Sequence, residues 1–308
     1  YAANKTIASA YFKERGWDNN YLMSYMESHD EQRQMYEMLS FGNSGDGYDI
    51  SAKGTALNRL KLSATFFFLI PGPKLFWQFG EFGYDVDINF NGRTGKKPTK
   101  WEYLDNPNKS NVAKVYSELI SLRNRYDVFT SGDFQWQPDG ELKSIHIQNV
   151  DTAITVIGNF GVIQAEINPE FQHPGIWYDF FSGEERNVQD TKAPIVLGPG
   201  QFKIYTDHKL HAPESDIILD IEQELLKQAI DVYPNPASHH VNVSVPRDVG
   251  IFQLKITDLA GRNVYSQSEY LGDQTEDHMI EIGALRSGIY LIVIETKHLM
   301  VSKLLYKE

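Results

Sequence analysis

The sequence predicts a multidomain chain, α/β in its first part and all-β thereafter. Three observations carry that expectation. Helical and strand-like runs alternate from Asn4 to Tyr126, and short β-rich runs between turns replace them from Gly132 to Thr206. A charged stretch follows, and a second series of short strands then fills Asp231 to Tyr306. The expected parts are 1–130 (α/β), 131–207 (an antiparallel β-sandwich), 208–230 (a linker) and 231–308 (a small Ig-like β-sandwich). A chain of 308 residues is long enough for two or three cores of ordinary size.

Taken in order, Asn4 to Arg15 has helical spacing and Gly16 stops it, after which Tyr21 to Met26 reads as a strand. Glu31 to Leu39 reads as a helix, and Gly42 to Asp49 as a loop of turn residues. Ala52 to Ile70 gives a long helix with Leu57, Leu60, Ala64 and Phe67 apolar, closed by Pro71-Gly72-Pro73. Lys74 to Phe79 is the next strand, and Val112 to Tyr126 an amphipathic helix with Val115, Leu119 and Leu122 on one face. Strands are then expected at Ser144–Ile147, Ala153–Ile157, Gly175–Phe181 and Gln201–Thr206. A short helical pattern covers Ile218 to Ala229, before strands at Val241–Val245, Gln253–Asp258, Met279–Ile282, Tyr290–Glu295 and Ser302–Tyr306.

Composition narrows the function classes. Hydrophobic content of 41% with 23% charged residues is that of a globular protein and not of a disordered one. A net charge of −12 argues against nucleic acid or an anionic membrane as partner, since both demand basic patches. The sequence has no Cys, which removes disulfides, thiol nucleophiles and Cys-based zinc sites. Its most apolar stretch, Leu62 to Ile70, falls well short of the roughly 20 residues that span a bilayer, so no transmembrane segment is expected. The 17 Tyr, 17 Phe and 5 Trp suit stacking on sugar rings, although core filling accounts for most of them.

The stretch around which the first part is organised is Tyr21 to Glu37, where an apolar run ends in Glu27-Ser28-His29-Asp30. Charged groups at a strand end are where a parallel α/β barrel builds its site. This stretch resembles the last signature of the alpha-amylase family of glycoside hydrolases, an apolar strand followed by acidic, Asn, His, Asp, with Ser28 in place of Asn. Ser28-His-Asp-Glu31 and Gly80-Glu-Phe-Gly83 lean towards the family's branching enzymes. The likeness runs from about Asn4 to Asp207 and implies the C-terminal part of a (β/α)8 TIM barrel followed by the family's β domain.

The resemblance implies a retaining mechanism on α-1,4-glucans such as starch or glycogen. In it Asp30 is the catalytic transition-state stabiliser in the −1 subsite, and His29 donates a hydrogen bond to a hydroxyl of the same sugar. Glu81, after the next strand, and the aromatics Trp77 and Tyr84 are further candidates for contact with substrate, with core or loop packing open to each at least as readily. Glu27 is expected to order the loop, and Arg33 to pair with Glu37 at helical spacing.

Asp87-Ile-Asn89-Phe-Asn91-Gly92 mimics half of an EF-hand loop, but Pro98 stands at the twelfth position where the bidentate Glu belongs. No metal ligand set and no cofactor are therefore expected in this chain, while Ca2+ stays open for the complete enzyme. His239-His240 read as surface residues.

Two motifs that the family requires, a Gly-Phe-Arg-x-Asp-like strand carrying the nucleophile and the strand-end Glu acid/base, do not occur in the sequence. A barrel takes roughly 250 residues. The chain is thus expected to be the tail of a longer enzyme, inactive alone and with unpaired strand edges. An amylase-type hydrolase, a 1,4-α-glucan branching transglycosylase and a non-catalytic glucan-binding surface module remain as readings.

A second resemblance covers the end of the chain. Tyr233-Pro-Asn-Pro236, Asp258-Leu-Ala-Gly-Arg262, Leu285-Arg-Ser-Gly-Ile-Tyr290 and Lys303-Leu-Leu-Tyr-Lys307 are similar to the C-terminal sorting domain of type IX secretion cargo. It implies a secreted or cell-surface attached protein, with the type IX machinery as a partner through 231–308.

Overall fold

A computed structural model describes residues 6–215, 217, 219, 230–245, 251–270, 277–295 and 300–308. The chain divides into two compact units, Tyr1–Leu219 and Asp220–Glu308. The helical pattern expected over Ile218–Ala229 lies outside the described residues, apart from Leu219.

In the first unit the helix expected over Asn4–Arg15 is replaced, within its described part, by two 3-10 turns, Ala8–Ala10 and Phe12–Arg15. Tyr11 between them is extended, and Gly16 ends the second turn at φ 71°, a conformation glycine adopts without strain. Helix α1 spans Gln34–Phe41. The loop expected after it folds into a two-rung hairpin, β1 (Ser44–Gly45) and β2 (Tyr48–Asp49).

Helix α2, Lys53–Leu69, is buried nearly all round and not along a single stripe. Helix α3, Pro107–Arg125, starts earlier than its apolar spacing indicates. Asn106 caps it by accepting from the N–H groups of Asn108 and Lys109, and Pro107 occupies the first turn, where no N–H is needed. Arg123 near its other end closes α2, donating from Nη1 to the carbonyls of Phe68 (2.6 Å) and Ile70 (2.8 Å) and from Nη2 to Gly72 (2.7 Å). The Phe68 carbonyl is one that a helix end leaves without an internal partner, and Ile70 and Gly72 belong to the segment that leads away from it. A short helix, α4 (Val128–Ser131), follows.

The expected strands Tyr21–Met26 and Lys74–Phe79 do not form as such. Between them the structure holds one parallel bridge, Ser24 with Lys74. Ser24 N–H donates to Pro73 O (3.1 Å), and Leu75 N–H to Ser24 O (3.0 Å). A two-segment parallel pairing has little to hold it beyond such a rung, and Pro71 and Pro73 supply no N–H to extend it. The period of a strand nevertheless survives, since Tyr21, Met23 and Tyr25 point outward and Ser24 inward.

Only Gly132 separates α4 from the β part. Its strands are β3 (Asp133–Gln137), β4 (Leu142–Gln148), β5 (Ala153–Asn159), β6 (Ala165–Ile167), β7 (Gly175–Asp179), β8 (Glu185–Val188), β9 (Ile195–Leu197) and β10 (Phe202–Thr206). Six of them make one sheet in the order β3-β4-β5-β10-β7-β8, and β6 pairs with β9 as a separate ribbon. The central β5 is buried at every residue. Ala153 and Ile157 join a core built around the fully buried Trp177. On the other face, Gly158 lies so close under α2 that a Cβ there would meet Phe66 at 2.6 Å and Leu62 at 2.7 Å. Arg59 of α2 reaches over to the carbonyls of Phe160 and Gly161.

The second unit contains β11 (Asp231–Tyr233), β12 (His240–Ser244), β13 (Ile251–Asp258), β14 (Asn263–Tyr270), β15 (Asp277–Glu281), β16 (Gly288–Glu295) and β17 (Met300–Lys307). They form two antiparallel sheets, β11-β12-β15 and β14-β13-β16-β17. Val241, Val243, Phe252, Leu254, Ile292 and Leu305 are among the buried residues of an apolar core these strands share. The Asp258–Arg262 motif is a turn: Asp258 Oδ1 accepts from the N–H groups of Ala260 and Arg262, and Gly261 takes φ 79°. His239 and His240 are exposed.

Candidate functional site

The corner from Glu27 to Arg33 is held from beneath by buried side chains. Glu27 is only 6% exposed, and its Oε2 accepts the Gln34 N–H at 2.9 Å, so a carboxylate sits at the start of α1. Burial pushes its pKa up to about 7, against the opposing pull of the Gln34 amide and the Arg33 guanidinium, and Glu81 adds to the rise.

Arg33 does not pair with Glu37. It is 1% exposed, and its Nη1 donates to the carbonyls of Ser28 and Glu31 (3.0 Å to the latter). The planar fork reaches backbone that curls over it, which outcompetes a solvated ion pair along the helix.

Gln32 joins this corner to a second segment. Its Oε1 accepts from the Ile88 N–H at 3.0 Å, and its Nε2 donates to Asp87 Oδ1 at 2.8 Å. Arg93 donates to the carbonyl of Asp30. The segment from Asp87 to Arg93 therefore folds over the corner. Together they bound an open groove of about 620 Å³ lined by Asp30, Glu31, Gln34, Phe41, Ile88 and Arg93, among others.

On this scaffold His29 and Asp30 stand out into solvent, with side chains 69% and 70% exposed and His29 Nε2 3.3 Å from Asp30 Oδ2. The Trp77 ring lies beside His29, with ring centroids 5.7 Å apart. A hydrogen-bonding pair next to an aromatic edge can grip a polyhydroxyl ring, by directed hydrogen bonds on one side and apolar contact on the other.

The other two sequence candidates sit elsewhere. Tyr84 is core, 1% exposed, stacked on Phe79 with its hydroxyl donating to Pro98 O at 2.6 Å. Glu81 is half-buried, and burial raises its pKa. Glu27 Oε1, Glu81 Oε2 and Arg33 Nε have no hydrogen-bond partner. Gly80 leaves room for Glu27, since a Cβ there would sit 2.6 Å from Oε1.

Sequence reasoning thus finds His29, Asp30 and Trp77 where they come together. It does not find Gln32 or Arg93, whose partners lie more than fifty residues away and leave no local signal. Among the described residues no group of three or more His, Asp or Glu could hold a metal ion. Asp87 Oδ1, the first position of the EF-like stretch, is taken by Asn89 N–H and Gln32 Nε2.

No curated protein matches the chain. Among solved structures it is similar to an alpha-amylase from Anoxybacillus, with 18% identity over 63% of this chain and 39% of that one and a TM-score of 0.44. An alpha-amylase from Geobacillus thermoleovorans follows, with 15% identity over 65% and 42% and a TM-score of 0.47. So does a Bacillus licheniformis trehalose-6-phosphate hydrolase, with 16% identity over 65% and 45% and a TM-score of 0.45. The chain spans about two fifths of the length of the alpha-amylases it matches.

Residues 231–307 match the family model of the secretion system C-terminal sorting domain. No helix among the described residues is long and apolar enough to cross a membrane. The sorting-domain match over the last quarter of the chain implies export to the cell surface or beyond.

Proposed function

We propose that the first unit supplies one wall of the sugar-binding site of an alpha-amylase-type enzyme acting on α-1,4-glucans. The observation that carries this reading is the placement of His29 and Asp30: both exposed, 3.3 Å apart and beside the Trp77 ring, on a corner fixed from below by Glu27 and Arg33. In a retaining hydrolysis the sugar passes through an oxocarbenium-like state. A carboxylate at Asp30 accepts hydroxyl hydrogen bonds that strengthen as positive charge develops on the ring, and His29 donates one to a neighbouring hydroxyl. The nucleophile and the acid/base have no counterpart motif in this sequence, so under this reading they come from other parts of the complete protein.

A branching transglycosylase is the second reading, favoured by Ser28, whose hydroxyl donates to Glu31 and accepts the Asp30 N–H at 3.2 Å. Both are tested by incubating the complete protein, wild type and Asp30→Asn, with soluble starch. The hydrolase reading expects new reducing ends that fall about a hundredfold or more in the variant. Branching expects new α-1,6 linkages at a constant reducing-end count. Affinity for amylose with neither product would leave a non-catalytic glucan-binding module.

A further inference from the structure

The sorting match covers residues 231–307 as a whole and assigns no role to any one residue. Two of its motifs, far apart in sequence, meet in the structure. The Asn235 side chain lies along the outer edge of β17 and behaves as a strand would. Its Oδ1 accepts the Tyr306 N–H at 2.8 Å, and its Nδ2 donates to the Leu304 carbonyl at 2.8 Å. The backbone then continues the zipper two residues on: Ala237 N–H donates to Tyr306 O (2.9 Å), and Glu308 N–H donates to Ala237 O (3.0 Å). Ala237 is 2% exposed and packs in the core of the unit, so this short segment is anchored as well as hydrogen-bonded.

β17 is the last strand of its sheet, with β16 on one side only. An edge strand at a chain end frays or pairs with foreign strands unless something covers it. A primary amide is the smallest side chain that can present a donor and an acceptor side by side to a peptide, which Asp, Ser and Ala cannot do.

We propose that Asn235 is a positioning residue for export: its amide clamps the end of β17, so that the secretion machinery meets a docked terminal strand. The proposal rests on the export reading of residues 231–307, and the two fail differently. Its test compares wild type, Asn235→Ala, Asn235→Asp and Val241→Ala, each as the complete protein. Export is scored as the fraction reaching the cell surface or medium of a bacterium that owns this secretion system. Amide exchange at Tyr306 and the melting temperature are measured on the purified proteins.

Loss of the clamp should speed Tyr306 exchange roughly five- to tenfold in Asn235→Ala and lower export by a similar factor. Asn235→Asp keeps an acceptor for Tyr306 N–H but loses the donor to Leu304, and should fall between. Val241→Ala, which hollows the core away from the clamp, should leave export near wild type even where its melting temperature falls further. Wild-type export of Asn235→Ala with fast Tyr306 exchange overturns the proposal, as does unchanged exchange. Export that tracks melting temperature across all the variants overturns it too. Unimpaired export after deletion of Asp231 to Glu308 would instead overturn the export reading.

Discussion

The Glu27 carboxylate accepts the Gln34 amide at 2.9 Å while its other oxygen faces Gly80 with no partner. One buried acid is therefore hydrogen-bonded to the start of α1 and packed against the turn that carries Glu81.

Because burial lifts Glu27 to a pKa of about 7 from an ordinary 4.5, the folded protein binds this proton more tightly than the unfolded chain. The folded pKa is the higher one, so stability from this group is fully present below pH 4.5 and is lost as pH rises to about 7. The loss amounts to about 3 kcal/mol at most. Glu27→Gln keeps an acceptor for Gln34 and should flatten that slope. Urea unfolding of both proteins at pH 5 and pH 8 reads it directly, and equal slopes would refute the assignment.

Gly80→Ala should cost about 1–3 kcal/mol, since the new methyl meets Glu27 Oε1 inside van der Waals contact. In a Glu27→Ala background the same change should cost little. A double-mutant cycle by thermal melting gives the coupling between the two sites, and additive effects would show that the carboxylate is not what Gly80 accommodates.

Arg123→Ala should destabilise the first unit by about 2–4 kcal/mol, because three carbonyls at and just past the end of α2 lose their donors. Arg123→Lys should recover less than half of that, as an ammonium cannot span the fork. Full rescue by Lys, seen in the melting temperature, would mean that charge and not geometry is what matters.

Under the proposed sugar-binding role, Arg33→Gln should loosen the corner and weaken maltooligosaccharide binding by about tenfold or more, whereas Glu37→Gln should leave stability within about 0.5 kcal/mol. Calorimetric titration of each variant distinguishes this from a helical Arg33–Glu37 pair, which would make the two substitutions equivalent.

Much of the fold was legible where period and punctuation agree. The long helix α2 falls within a residue of its expected ends, and β5, β10 and β16 overlap the runs that announce them. What escaped has physical reasons. β8 reads Glu-Arg-Asn-Val and lies at a sheet edge, so no apolar alternation marks it. The three-residue strands β6 and β9 are too short to show a period. β3 does alternate, with Phe134 and Trp136 between exposed polar residues, so its pattern is readable from the sequence. The start of α3 at Asn106-Pro107 was also readable from its cap, though the apolar face begins only later.

At the candidate site, His29, Asp30 and Trp77 could be named as candidates from the resemblance alone, whereas the place of the Trp77 ring beside His29 has no local signal. Arg33 was noticed and given the wrong partner, since i,i+4 spacing says nothing about burial. Asn235 and the terminal strand were each recognised, but sequence could not reveal that one side chain joins them.

Gly158 under α2 has a consequence for how this protein could be taken apart. The helix rests on the sheet without a spacer, and Arg123 fixes the residues leading from that helix to Lys74. The height at which Lys74 meets Ser24 is thus inherited from a strand more than eighty residues further along the chain. A gene cut at residue 130, or a chimera carrying a foreign β part, would reset the level of the corner that carries His29 and Asp30 even if every residue of that corner were kept.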